Sequence, residues 1–262
     1  MKIAMLGSGN VATFLSKTLI QAGHPVIQVW SRNPNNASAL ALEIGSDSIA
    51  DISSILSETD IVIIAVNDDG IENVAAQIPK NLNQLILHTS GTTPLLVLEN
   101  YTSNCGVFYP LQTFSKQADV DFKVIPLCIE GSNPSALTRI KSLAEQLSNN
   151  VNEVNSQQRA LLHVSAVFAC NFSNHLYHIA QQILEKNGLN FDLLRPLIQQ
   201  TTDKVMTRKP SEVQTGPAKR NDEQTMLKHL VILQDQPIWK EMYSKLSQDI
   251  VKIYKPSSSG AK

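Results

Sequence analysis

Before Glu43 the chain contains no aspartate or glutamate at all, although Lys2, Lys17 and Arg32 fall in the same stretch. A segment so poor in negative charge puts nothing in the way of an anionic ligand. No apolar run approaches the length of a membrane span, and Met1 leads directly into an apolar segment without a signal-peptide pattern. A cytoplasmic protein with no membrane partner is therefore expected. Cysteine is scarce: Cys105, Cys128 and Cys170 are odd in number, far apart and outside any metal-ligand spacing. That excludes a disulfide framework, leaves no expected metal site and predicts buried free thiols. Excess charge is also lacking, since the formal net charge is -1 and the pI is near 6.6. Nucleic acid has no electrostatic reason to bind. The 262 residues exceed one ordinary domain, and 42% hydrophobic content supports a substantial core.

What is present begins at Lys2-Ile3-Ala4-Met5-Leu6-Gly7-Ser8-Gly9-Asn10-Val11-Ala12, which reads as a buried strand, a glycine turn and a helix start. Gly7 permits the tight turn, Gly9 lets backbone amides approach a pyrophosphate, and Ala12 is the third small residue that allows helix and strand to pack. The following helix, roughly Val11 to Ala22, offers its unpaired amides and positive dipole end to phosphates. Gly7, Ser8, Gly9, Asn10, Val11 and Ala12 are thus candidate cofactor-binding residues.

A second strand, Val26 to Trp30, ends in Ser31-Arg32. An Asp or Glu there would suit the ribose 2′-OH of NAD, whereas Arg accommodates the 2′-phosphate of NADP. NADP, as NADPH, is the expected cofactor, with Ser31 and Arg32 at the extra phosphate. A helix from about Asn36 to Ile44, a short strand near Ser48 to Ala50 and a helical turn at Ser53 to Glu58 follow. Asp60 to Val66 reads as a central strand apolar on both faces, so Val66 and Asn67 should border the cofactor at its carboxyl end. The next strand, Leu85 to Leu87, ends in His88-Thr89-Ser90-Gly91, where the nicotinamide half would lie. His88 and Ser90 are candidates for the chemistry. Gly106 to Pro110 and Val124 to Glu130 look like further strands, Pro134 to Leu147 like a helix, and Asn152 to Val154 could close the sheet.

Composition changes near Asn155, beyond which strand signals nearly vanish. The expected division is a dinucleotide-binding α/β domain with a mainly parallel sheet over residues 1–154, an all-α domain over 155–255 and a disordered tail over 256–262. A helix from about Ser156 to Lys186 dominates the second part. Ala160 to Phe172 is apolar nearly all round, which predicts burial. Its exceptions include His163 and Asn171. At about 100° per residue, Asn171 lies roughly 80° round from His163 and Asn174 about 20°. That arc makes His163 and Asn171 further catalytic candidates. Helices at about Phe191 to Met206, after Asp222 as N-cap, and from Ile238 to Tyr254 complete the chain.

Together, Gly7-x-Gly9-x-x-Ala12, Ser31-Arg32, His88-x-Ser90-Gly91, Tyr109-Pro110-Leu111-Gln112-Thr113-Phe114 and Gly216-Pro217-x-x-Arg220-x-Asp222 resemble bacterial Rossmann-like proteins with a C-terminal helical domain of unassigned function. That family is similar to pyrroline-5-carboxylate reductase and to the deazaflavin-dependent NADP reductases. The resemblance implies an NADP-linked oxidoreductase whose helical domain dimerises. In the family pattern His is common where Tyr109 stands. The long helix also lacks the Lys of related hydroxyacid dehydrogenases, with no Lys between Arg159 and Lys186.

The expectation is a reductase moving hydride between NADP(H) and a small carbonyl or imine compound held between the two domains, in a homodimer. Two alternatives stand beside it. One is a dinucleotide-binding sensor without turnover, since fold does not establish catalysis. The other is a deazaflavin-dependent NADP reductase.

Overall fold

The structure is a computed structural model that describes residues 1–80, 84–114 and 121–254. Two compact units divide it, the first spanning Met1–Phe172 and the second beginning at Ser173. The tail expected over 256–262 lies outside the described residues.

The first unit is built on eight strands: β1 (Ile3–Leu6), β2 (Val26–Trp30), β3 (Asp47–Ser48), β4 (Ile61–Ile64), β5 (Leu85–His88), β6 (Cys105–Pro110), β7 (Leu127–Gly131) and β8 (Val151–Glu153). They form one sheet in the order β3-β2-β1-β4-β5-β6-β7-β8. All neighbours are parallel except β6 and β7. This is the Rossmann-type, mainly parallel sheet that the sequence predicts, and the helices after it supply the all-α remainder. The order reverses between β1 and β4, the switch point at which open α/β sheets bind ligands.

Alternation along each strand feeds both faces. Ile3, Met5, Ile61 and Ile63 enter one core with α1 (Asn10–Gln21), α2 (Pro34–Ile44) and, further along the chain, the helix Pro134–Leu147. Ala4, Leu6, Val62 and Ile64 enter the other, packed by α3 (Ile71–Ala75) and α4 (Leu96–Glu99). Continuous apolar runs such as Ile61–Ile64 are what a sheet covered on both faces requires. The Pro134–Leu147 helix, α5, begins with Asn133 accepting the Ala136 N–H and with Pro in its first turn. The elements expected at Ser48–Ala50 and Ser53–Glu58 prove shorter, a two-residue strand and a 3₁₀ turn over Ile52–Ser54.

Register fixes the site. Trp30 pairs with Leu6, Leu6 with Ile64, Ile64 with His88 and His88 with Val107, so these residues form one row across five strands. Two residues beyond that row, at the carboxyl edge, come Arg32, Ser8, Val66, Ser90 and Tyr109.

The unit closes with α6 (Ser156–Ala166), started by a capping box between Asn155 and Gln158, and a π-helical segment over Val167–Phe172. Burial predicted for Ala160–Phe172 is not found: Leu161, Val164, Phe168 and Phe172 are exposed. One face of the helix docks on the sheet through Arg159, and these residues point away from it. Cys170 is exposed for the same reason, whereas Cys105 and Cys128 are buried strand residues.

In the second unit the described helices are α7 (Ser173–Lys186), α8 (Arg195–Thr207), α9 (Pro210–Val213), α10 (Glu223–Ile232) and α11 (Pro237–Tyr254). Asp222 caps α10 by accepting the Thr225 N–H, as its sequence position predicts. His229 Nδ1 lies 2.8 Å from Tyr243 Oη and ties α10 to α11. No helix among the described residues is long and apolar enough to cross a membrane.

Candidate active site

The glycine turn after β1 has the features a dinucleotide phosphate needs. Gly7 holds φ +140°, and a Cβ there would lie 2.1 Å from the Ala65 carbonyl oxygen, so only glycine lets β1 turn this close to β4. Around Gly9 a Cβ would meet nothing within 4 Å, which leaves open space over the turn. Helix α1 starts at that space with no side-chain cap and no acid in its first turn. Its first amides are thus left for an external acceptor. Ala12 is buried where the helix crosses the strand.

Beside the turn, Ser8 Oγ donates to Ser31 Oγ at 2.8 Å and Gly7 N–H donates to the Trp30 carbonyl at 2.7 Å. The ends of β1 and β2 are thereby locked together, with Arg32 next in line. Lys2 and Lys17 are occupied by Glu58 and Glu43 at 2.9 and 2.5 Å. Among the described residues Arg32 is exposed and has no such partner. Asn10 Nδ2 donates to the Phe114 carbonyl at 2.8 Å, which ties the helix start to the loop after β6. Val66 and Asn67 follow β4 on the same edge. The residues present therefore fit a phosphorylated dinucleotide, with free amides at the pyrophosphate and a free guanidinium beside a hydroxyl at a third phosphate.

Along the edge lies a second cluster. Tyr109 Oη stands 3.1 Å from His163 Nδ1. The pair rests on Gly91, where a Cβ would come within 2.6 Å of His163 Nδ1 and 2.9 Å of Tyr109 Cζ. Strand β6, the loop after β5 and helix α6 thus meet at one point. Both rings are half-buried. The Tyr109 hydroxyl is pushed up to about 12, by burial first and by Cys128 and Asp68 next, with Arg159 opposing. It stays protonated throughout the ordinary range.

Under this pair the β5 loop is rigid. Ser90 Oγ accepts the Thr92 and Thr93 N–H groups at 3.1 and 2.9 Å, and Ser90 N–H donates to His88 Nδ1 at 3.1 Å. Thr92 Oγ1 donates to Asp68, linking this loop to the end of β4. His88 is fully buried. Its pKa is lowered to about 3 by burial and by the Arg159 charge, against a smaller opposite effect of Asp68. The ring is neutral, and because Nδ1 accepts, its proton sits on Nε2.

The chain's relatives accord with this geometry. Residues 2–88 match the family described as NADP oxidoreductase coenzyme F420-dependent, and residues 125–250 match the domain of unknown function DUF2520. Among solved structures, BF3122 of Bacteroides fragilis, provisionally named an NADP oxidoreductase, is 38% identical, with a TM-score of 0.88 over 96% of this chain and 98% of that one. The chain belongs to the BF3122 family. More distant are protein TM1727 of Thermotoga maritima, at 21% identity and TM-score 0.72 over 97% of this chain and 98% of that one, and an imine reductase of Myxococcus stipitatus in complex with NADP+. The latter is 15% identical, with a TM-score of 0.70 over 98% of this chain and 95% of that one. These two show the fold alone. Curated protein sequences yield no match. This member of the BF3122 family thus joins an NADP oxidoreductase-type domain to a DUF2520 region, and NADP is its cofactor class.

In this family member the predicted residues divide into three groups. Gly7, Ser8, Gly9, Asn10, Val11, Ala12, Ser31, Arg32, Val66 and Asn67 all lie at the carboxyl ends of β1, β2 and β4. His163 meets the β5 loop at Gly91, next to Ser90. His88 and Asn171 stand apart. His88 is fully buried, its pKa is lowered to about 3 by burial first, and its Nδ1 holds the Ser90 N–H, so the structure gives it a positioning contact beneath the site. Asn171 is exposed, and the arc that joined it to His163 assumed a regular helix. The π segment over Val167–Phe172 breaks the 100° step on which that arc depended.

The sequence reading missed the buried ion pair that seats α6. Arg159, fully buried, donates to Glu130 Oε2 at 2.5 Å and to the Thr93 carbonyl at 2.7 Å. Glu130 also accepts Ser156 N–H at 3.0 Å and Ser156 Oγ at 2.8 Å, so its carboxylate sits at the start of the helix, where the dipole favours it. Ser156 Oγ accepts the Leu95 N–H at 3.0 Å. The available signal was spacing: Arg159 and His163 are four apart and share a helix face.

Proposed function

We propose that the protein is an NADPH-dependent reductase of small carbonyl or imine compounds, with the reacting carbon held over the carboxyl ends of β5 and β6. NADPH, when bound, supplies the hydride. The chain's part is to bind the dinucleotide, orient it and move one proton. Amides at the start of α1 take the pyrophosphate, and Ser31 with Arg32 take the 2′-phosphate. Val66 and Asn67 line the path towards the β5 loop. Ser90, fixed by the turn it closes, and the Tyr109–His163 pair stand where the nicotinamide end of such a ligand reaches.

The observation that carries this reading is the Tyr109–His163 hydrogen bond on Gly91, two residues past the strand row that also ends in the glycine turn. A sensor needs the dinucleotide cradle but has no use for a proton-exchanging pair beside it. The reading also includes a homodimer formed through exposed apolar helix faces.

The test is an NADPH titration followed by a turnover screen with imines, ketones and a deazaflavin acceptor. Reduction of an imine or ketone supports the reading. NADPH binding without turnover of any acceptor would favour the sensor, and turnover of the deazaflavin alone would favour the deazaflavin-dependent NADP reductase.

A further inference from the structure

We propose that Tyr109 is the group that meets the substrate's heteroatom, and that His163 stands behind it as the proton reservoir. The inference rests on the reductase reading and assigns the donor within it.

The argument turns on which nitrogen of His163 exchanges a proton. Tyr109 Oη has a single hydrogen-bond partner among the described residues, His163 Nδ1. Burial keeps the phenol protonated, and in the tautomer proposed for the neutral imidazole a bare Nδ1 accepts the Tyr109 O–H across the 3.1 Å contact. The remaining ring proton is then on Nε2. Only Nδ1 has a lone pair, and it points at Tyr109. A proton entering the neutral ring therefore passes through the phenol oxygen, and the Nδ1–H so formed can return by the same contact. When the ring is charged the roles reverse: Nδ1–H donates and Oη accepts, which frees the phenol hydrogen for another acceptor. The same two atoms serve both states without moving the rings.

Position favours Tyr109 as the outer member. It is carried by a strand paired on both sides, opposite Cys128 and next but one after the residue facing His88. The β5 loop beneath it is closed by the Ser90 turn, and the lack of a Cβ at Gly91 lets both rings sit on that backbone. A phenol this hard to ionise is a weak acid alone, which is why the second group is needed.

The step balances as follows. NADPH, when bound, would supply the hydride and with it the electron pair that the substrate carbon needs. The C=N or C=O π bond breaks onto the heteroatom, which takes the Tyr109 Oη proton, while His163 Nδ1–H passes its proton to Oη. Tyr109 ends unchanged, and His163 ends neutral with its proton on Nε2. Solvent reloads the pair by the reverse path through Oη.

The experiment uses the full chain with NADP+ bound. Long-range ¹⁵N–¹H NMR of neutral His163 should show a protonated Nε2 and a bare Nδ1; a protonated Nδ1 in the neutral ring would overturn the proposal. With whichever imine or ketone turns over, Tyr109→Phe and His163→Gln should each lower kcat about 100-fold or more while leaving NADPH affinity near its original value. The double variant should be no slower than the worse single one, because the two act as a unit. A proton inventory should be bowed in the unaltered protein, for two protons in flight. If Tyr109→Phe keeps its turnover while His163→Gln loses it, the relay is overturned and the reductase reading survives with His163 as direct donor. If no probe turns over although NADPH binds and the NMR result holds, the reductase reading falls and the relay with it.

Discussion

Glu130 Oε2 meets the guanidinium of Arg159 at 2.5 Å, one helical turn before His163 on the same helix. The pair joins β7 to α6, and through the Thr93 carbonyl it also holds the β5 loop. Two of the elements that build the candidate site, α6 and the β5 loop, are thus fastened to β7 through one buried side chain.

Breaking that contact should be costly. Arg159 has no solvent exposure, so Glu130→Ala strands a buried cation. Removing one partner of a buried pair costs about 3–5 kcal/mol, and the expected loss in urea unfolding is of that order. Replacing both, with Glu130→Leu and Arg159→Met together, should cost clearly less because no charge is left unpaired. A loss in Glu130→Ala below about 1 kcal/mol would show that α6 is held by something else.

On the proposed reading Arg32 sets the cofactor choice. Lys2 and Lys17 are held in ion pairs with Glu58 and Glu43, which leaves Arg32 as the cation at the end of β2. Arg32→Ala should weaken NADPH by roughly 10- to 150-fold, the equivalent of about 1.5–3 kcal/mol for a hydrogen bond to a charged group, and leave NADH nearly unaffected. Equal affinity of the unaltered protein for both cofactors, measured by fluorescence titration, would remove the 2′-phosphate assignment.

The parts of this site that the sequence made legible are those carried by short local patterns. A strand, a glycine turn and a helix start are contiguous, so Gly7 to Ala12 and the strand-end positions of Arg32, Val66 and Ser90 follow from reading along the chain. The Arg159–Glu130 pair spans 29 residues and the Tyr109–His163 pair 54, and no local pattern joins them. The burial of His88 was not legible for a different reason, since burial is a property of the whole fold. The placement of Asn171 relative to His163 was not legible either, because the helical wheel assumes a regular helix and a π segment is invisible to it.

Burial of His88 has a consequence for acid stability. Its folded pKa is lowered to about 3, by burial first, from an ordinary value of 6.5. Between those values the unfolded chain binds a proton that the folded chain does not, so stability rises with pH across that window and falls as pH drops. The slope from this one residue is at most about 1.4 kcal/mol per pH unit. His88→Asn, which keeps an acceptor for Ser90 N–H, should flatten the loss of stability between pH 6.5 and pH 4. Urea unfolding at several pH values checks it, and an unchanged slope would mean that His88 charges without unfolding.

The exposed helix faces lead to the last prediction. Val164 on α6 is 47% exposed and Phe168 in the π segment 65%. In the second unit, considered by itself, Val231 and Ile238 reach 65% and 71%, whereas among its described residues only Ile179, Ala218 and Leu233 are buried apolar residues. Neither hydrophobic core of the first unit includes a described residue of the second. Helices draw most of their stability from packing an apolar face, so a helical unit with so little of its own core needs an outside surface. A second copy of the chain presents the same apolar faces, and closed homodimers are the commonest way to cover such faces. Light scattering should therefore give a dimer at micromolar concentration, and the melting temperature should rise with protein concentration. Val231→Glu separates the possibilities. In a monomer a polar residue at an already exposed position changes stability by about 0.5 kcal/mol or less. In a dimer that covers Val231 it buries an unpaired carboxylate, so the variant should dissociate and melt lower. A monomeric protein at micromolar concentration, with Val231→Glu as stable as the original, would exclude the dimer.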